Sequence, residues 1–117
     1  MNERYAKQIL LKDFGPEGQR KLTGASVLIV GCGALGSVQS QLLVRAGVGR
    51  VRIVDRDVPE IGNLHRQILF DEDDVQARTP KADVAGRKLP RANSSVVIET
   101  RVMEVTADNI DGLIVVT

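Results

Sequence analysis

The chain has 117 residues, 43% of them hydrophobic and 26% charged, with a formal net charge of +1. That length predicts one domain able to bury roughly two-thirds of its unfolded surface, and the near-neutral charge gives no reason to expect a nucleic acid or an anionic membrane as partner. No apolar run approaches the ~20 residues of a membrane span, Met1-Asn2-Glu3-Arg4-Tyr5 has no signal-peptide core, and a single cysteine excludes an intrachain disulfide and an all-cysteine zinc site, so a cytoplasmic protein is expected.

Glu3 to Leu11 reads as a short helix with Tyr5, Ile9 and Ala6 on one face. Asp13-Phe14-Gly15-Pro16 breaks it, and Pro16 suits the first turn of a second helix, Glu17 to Leu22, that ends at Thr23-Gly24. A strand follows from Ser26 to Val30, then a helix from Ala34 to Ala46 whose Ala34, Val38, Leu42 and Ala46 are expected to form the core stripe. Gly47 and Gly49 punctuate the end of that helix, and a second strand runs from Arg50 to Val54. Pro59 and Gly62 argue for loop and short helix up to Phe70. Asp71-Glu72-Asp73-Asp74 is expected to be a solvated turn or a helix start. Pro80 opens a helix that carries Lys81 in its first turn and ends near Leu89-Pro90. Val96 to Glu99 reads as a third strand, Ala107 to Ile110 as a helical link and Leu113 to Val116 as a fourth strand. The abrupt end at Thr117 suggests a fragment of a longer chain. Strands alternating with helices imply an α/β fold, a doubly wound parallel sheet with right-handed crossovers in the order 3-2-1-4. Residues 1–24 are expected to be a helical arm and residues 25–117 a truncated nucleotide-binding domain.

The chemistry concentrates between Val27 and Asp57. An apolar strand runs straight into Gly31-x-Gly33-x-x-Gly36, a helix follows, and the next strand ends at Asp55. That order is what a nucleotide-binding βαβ unit requires: Gly31 for the tight turn, Gly33 for close approach to a phosphate, Gly36 for helix–strand packing, and an acid for the ribose hydroxyls. The helix N-terminus, with its free N–H groups, faces the same loop. The alternative is that the glycines serve only tight packing. Asn63, Arg66 and Gln67 follow the acid, and Lys81 lies further on. Arginine offers a bidentate fork and lysine a mobile point charge, which suit a triphosphate and stabilise charge developing during nucleotidyl transfer. The loop is not Gly-x-x-x-x-Gly-Lys-Ser/Thr, which excludes a P-loop NTPase.

On these residues the chain resembles a known family, the adenylyltransferases that activate sulfur carriers in thiamine and molybdopterin biosynthesis (ThiF, MoeB and HesA), akin to the ubiquitin-activating enzymes. The stretches that carry the resemblance are Arg4-Tyr5-Ala6-Lys7-Gln8-Ile9-Leu10, Val27 to Gly36, Arg45-Ala46-Gly47-Val48-Gly49, Asp55-x-Asp57, Asn63-Leu64-x-Arg66-Gln67 and Lys81-Ala82. The resemblance implies a Rossmann-like fold and a reaction in which the C-terminal glycine carboxylate of a ubiquitin-like carrier attacks the α-phosphate of ATP, with Mg²⁺ as helper. It implies that Gly31, Gly33 and Gly36 cradle the nucleotide, that Asp55, with Asp57, lies at the ribose side, and that Asn63, Arg66, Gln67 and Lys81 contact phosphates. Arg66 and Lys81 would be the catalytic pair. It further implies a homodimer whose N-terminal arm reaches the neighbouring subunit's ATP. The family uses an arginine there; Lys7 stands in its place and lacks the bidentate fork.

The family's later aspartate for Mg²⁺, its transfer cysteine, its paired C-x-x-C zinc motifs and its carrier groove would lie beyond Thr117, so neither metal nor zinc ligands are expected within these residues. Cys32 reads as a small packed side chain and His65 as solvent-facing. Arg66 could instead pair with the Asp71 to Asp74 run, and Lys81 could be a solvated first-turn lysine. An NAD-dependent oxidoreductase half-domain would leave Asn63, Arg66, Gln67 and Lys81 without work. A non-catalytic scaffolding subunit is opposed by Arg66 and Lys81.

Overall fold

The computed structural model describes residues 3–114. A 3-10 turn at Glu3–Tyr5 leads into α1 (Ala6–Ile9) and α2 (Gly15–Thr23). Then come β1 (Ser26–Val30), α3 (Ala34–Ala46) and β2 (Arg50–Val54). A 3-10 turn at Ile61–Asn63 precedes α4 (Glu72–Ala77) and α5 (Lys81–Lys88), and a third at Leu89–Arg91 precedes β3 (Val97–Arg101) and α6 (Ile110–Ile114).

The three strands form one parallel sheet in the order β1-β2-β3, with Ile29 opposite Ile53 and Val51 opposite Ile98. The β2 side chains alternate. Val51 and Ile53 enter the core with Ile29, Val44, Val84 and Leu89, whereas Arg50 and Arg52 both pair with Glu99 on β3. The Arg52 hydrogen bond, with the positive charges of Arg52, Arg50 and Arg101, holds the Glu99 carboxyl below its ordinary range against some desolvation. Right-handed crossovers place α3 and α5 on the same face of the sheet.

The expected fourth strand is corrected. Leu113 and Ile114 end α6, and residues 115–117 lie outside the described residues. Ile110, Leu113 and Ile114 recur at helical spacing, Leu113 is buried, and the Arg52 guanidinium donates to its carbonyl. Thus the order is 1-2-3 rather than 3-2-1-4 among the described residues.

The core stripe of α3 is corrected as well. Val38 and Leu42 are exposed, and Leu35 is 76% exposed. The buried face is Gly36, Ser37, Ser40 and Val44. Small side chains let α3 approach the sheet closely, and close approach outweighs the apolar spacing of Val38 and Leu42. Leu42 and Leu43 face a groove along the outer edge of β1.

The N-terminal arm seats on the far end of α3. Gly47 ends that helix at φ +95°, and a Cβ there would stand 2.6 Å from the Tyr5 ring. The Tyr5 hydroxyl accepts from Asn93 Nδ2 at 2.8 Å, and Gln8 donates to the Ala46 carbonyl at 2.7 Å. Tyr5 is therefore covered by its own chain.

Candidate functional site

The carboxyl ends of the strands carry the site. The chain leaves β1 through Gly31, at φ +90°, whose N–H donates to the Val54 carbonyl at 2.8 Å. A Cβ on Gly36 would stand 2.1 Å from the Gly31 carbonyl oxygen, so α3 starts in contact with the loop backbone and only glycine fits. Gly33 is less crowded. Its nearest neighbour would be Gln67 Nε2, at 3.7 Å from an added Cβ.

Asp55 stands just past β2 and ties this turn together. Its Oδ2 accepts from the Cys32 N–H and its Oδ1 from the Asp57 N–H, both at 2.7 Å. A carboxylate has about four lone-pair positions, so each oxygen keeps acceptor capacity for a ligand hydroxyl. Asp57 is exposed, and its carbonyl accepts from the Lys81 N–H at 2.9 Å, which sets where α5 begins. Lys81 is only 6% exposed, with its ammonium 5.9 Å from the Phe70 ring centroid. That overturns the solvated-lysine alternative. Burial first, and then the Asp55 charge, push the Cys32 thiol up to about 11, although Ser37 and Lys81 offset part of the rise. Fully buried and protonated, Cys32 is a packing residue.

The crossover loop supplies the rest. Asn63 accepts from the Glu60 N–H through its side chain, at 2.9 Å, and from the Gln67 N–H through its carbonyl, at 2.8 Å. It therefore also shapes the turn that presents Arg66 and Gln67. Gln67 is 4% exposed, yet its Oε1 has no hydrogen-bond partner among the described residues, and the Ser37 Oγ is also unsatisfied. A buried amide oxygen beside a glycine loop is a group awaiting a donor. Arg66 and His65 are exposed.

The acidic run starts a helix, one of its two expected roles, and only Asp74 leaves the solvent. Asp71 caps α4 in a reciprocal pair with Asp74, but Asp74 is 1% exposed and not solvated. Arg87 reaches it at 2.6 Å and Lys88 at 2.7 Å. Among the described residues Arg66 makes no ion pair with this run, whose partners are Arg87 and Lys88.

Two crevices open at this end of the sheet. One, of about 520 Å³, is lined by Asp57, Glu60, Asn63, Arg78 and Lys81 among others. The other, of about 150 Å³, lies between Gly31 and Asp55 on one side and Met103, Glu104 and Val105 on the other. Sequence reasoning missed that second wall because it ended β3 at Glu99. The strand runs to Arg101, and the loop beyond its carboxyl end is where an open parallel sheet binds ligands. Lys7 lies elsewhere. The arm seats beside Ala46, and α3's 13 residues separate that point from the glycine loop by roughly 20 Å. Among the described residues no three His, Cys, Asp or Glu side chains converge as a metal site requires, and no helix is long and apolar enough to cross a membrane.

Comparison with known proteins gives one consistent picture. The model of the ThiF family matches residues 5–115. The chain is 51% identical over 114 residues to the sulfur carrier protein ThiS adenylyltransferase of Bacillus subtilis, covering 97% of this chain and 34% of that protein. It is 50% identical over 93 residues to the mouse adenylyltransferase and sulfurtransferase MOCS3, covering 80% of this chain and 20% of that protein. Among solved structures, E. coli MccB with ATP superposes with a TM-score of 0.79 at 33% identity, over 91% of this chain and 32% of that one.

Proposed function

The chain belongs to the ThiF family, and from that premise we propose that it is the nucleotide-binding part of an enzyme that adenylylates the C-terminal glycine of a ubiquitin-like sulfur-carrier protein. It spans about a third of its Bacillus relative, so the reaction is assigned to the full-length protein. The observation that carries the reading is the position of Asp55, joined to the glycine loop through the Cys32 N–H, with the buried and unsatisfied Gln67 against Gly33 of that loop and the buried Lys81 tied to the Asp57 carbonyl.

ATP is the proposed substrate. Gly31, Gly33 and Gly36 leave the backbone open to a phosphate, and the first N–H groups of α3, which no helical carbonyl can reach, face it. Asp55 accepts from the ribose, with Asp57 next to it. Arg66 and Lys81 meet the phosphates, and Asn63 and Gln67 do so through their side-chain N–H groups, the donors of an amide. The carrier's carboxylate oxygen forms a bond to the α-phosphorus as the bond to the bridging oxygen breaks, giving an acyl-adenylate and pyrophosphate. Negative charge grows on the departing oxygens, where the Arg66 fork and the Lys81 ammonium stabilise it more than they stabilise bound ATP. Mg²⁺ would accompany the triphosphate, with the phosphate oxygens and water as its main ligands.

A homodimer is part of the proposal. Lys7 lies far from the glycine loop of its own subunit, so a role for it at ATP requires a partner's nucleotide. Calorimetry on the full-length protein tests the nucleotide. Tighter binding of ATP than of NAD is expected, and the opposite order would favour a dehydrogenase. Light scattering tests the assembly, and a monomer at high concentration would remove Lys7 from the site.

A further inference from the structure

Only two non-glycine residues among those described have positive φ, Asp13 and Arg78. Aspartate tolerates the left-handed region; a long side chain such as arginine normally avoids it. Arg78 sits there at φ 56° as the C-cap of α4, a place where glycine or asparagine is the usual residue. Its backbone work is ordinary, since its N–H donates to the Asp74 and Val75 carbonyls, as any residue's could. The side chain has no hydrogen bond or ion pair among the described residues, and it lines the 520 Å³ crevice together with Lys81, Asn63, Asp57 and Glu60. Of the two carboxylates there, Glu60 is engaged with the Asn63 backbone and Asp57 lies near Arg56 at 3.8 Å. Thus a guanidinium is held at a backbone cost, unpaired, on the wall of a polar cavity that already contains a buried lysine.

We infer that Arg78 is a phosphate-binding residue that contacts the outer phosphates of the nucleotide triphosphate. The inference rests on the ATP reading above and adds a cation to it. Strain at a left-handed non-glycine residue persists where the side chain has work that a more comfortable residue could not do. Arg78 and Lys81, joined by Thr79-Pro80, line the same crevice from adjoining elements, which places both cations within reach of one anion. Arginine can bind a phosphate through two parallel N–H bonds, whereas Lys81 supplies a point charge.

The test compares ATP with AMP, by calorimetry on the full-length protein and its Arg78→Gly and Arg78→Asn variants. Both replacements tolerate left-handed backbone, so α4 keeps its ending and the melting temperature is expected to hold or rise. ATP binding is expected to weaken about tenfold, the scale of one lost charge-assisted hydrogen bond, while AMP binding stays unchanged. The ratio of the two dissociation constants does not depend on the folded fraction, so a poorly folding variant remains informative. An unchanged ratio in both variants overturns the assignment of Arg78. A parent protein that binds AMP but gains nothing from the outer phosphates overturns it too. A parent that binds no adenine nucleotide at all overturns instead the ATP reading beneath it.

Discussion

Two carboxylates in this molecule meet opposite fates. Asp55, at the end of β2, accepts one backbone N–H on each oxygen and faces a crevice. Asp74, in the first turn of α4, is closed off by Arg87, Lys88 and the Asp71 N–H. Both are anchored, but Asp74 accepts three hydrogen bonds and is buried, whereas Asp55 accepts two and faces open space. The surroundings differ in the same way. The crossover loop after Asp55 holds an unsatisfied Gln67 oxygen and an exposed Arg66 with no ion pair among the described residues; the Asp74 carboxylate has both Arg87 and Lys88 as partners. Lys88 also donates to the Leu69 carbonyl at 2.8 Å, two residues beyond Gln67. The sealed cluster therefore pins the end of the loop that presents the open groups. Completed electrostatics hold the fold, and incomplete electrostatics await a ligand.

That contrast is easiest to break at Arg66. Because it has no ion pair with Asp71 to Asp74, Arg66→Ala is expected to leave the melting temperature near that of the parent while lowering carrier-dependent ATP–pyrophosphate exchange ~10²–10³-fold, about 3–4 kcal/mol. Lysine should rescue only part of this. Lower stability with near-normal exchange would move Arg66 to the structural side. The converse variant is Asp74→Asn. Removing a buried charge that faces two cations should cost about 3 kcal/mol of stability by denaturant unfolding, while the ATP affinity of the folded fraction changes little. A loss below about 1 kcal/mol would show that the cluster is not the staple described. Asp55→Asn should do the reverse, weakening ATP binding at least about tenfold and costing about 1 kcal/mol of stability. Equal losses in both would erase the distinction between the two acids.

The smallest expected effect is on pH dependence. The Lys88 hydrogen bond, then the Asp74 backbone, hold the Asp71 carboxyl below its ordinary value. Burial alone would lower Lys88, but Asp74 and Asp71 outweigh it and raise that ammonium. A depressed carboxyl contributes stability above its ordinary pKa that is lost as pH falls through the folded value. A raised ammonium contributes stability that is lost as pH rises through its folded value. The cluster should thus weaken at both extremes, and Lys88→Met should flatten the acid limb below about pH 4. Parallel stability profiles for parent and variant would contradict the coupling.

The βαβ unit was legible in the sequence because short-range signals set it. The bounds of β1, α3 and β2 follow from an apolar run, a glycine loop, Gly47 and an acid, all near in sequence. What was not legible depended on distant partners. The burial of Asp74 was hidden because Arg87 and Lys88 return to it only when α5 folds back. The stripe of α3 was misread because hydrophobic spacing ignores how closely a helix must approach a sheet, and Gly36, Ser37 and Ser40 permit that approach. The fourth strand was misread because Leu113 and Ile114 are apolar in either conformation, and Ile110 supplies the helical period. Met103 to Val105 carry no motif; only the true end of β3 brings them to the crevice. Arg78 looks like any loop arginine until its φ is known.

The central claim is adenylyl transfer to a carrier, and isotope exchange between ATP and pyrophosphate measures its first step directly. The full-length protein, given ATP, Mg²⁺ and labelled pyrophosphate, is expected to return label to ATP only when a ubiquitin-like carrier with an intact C-terminal glycine is present. Exchange that proceeds equally without the carrier, or that is absent with every sulfur carrier of its own cell although ATP binds, would contradict it.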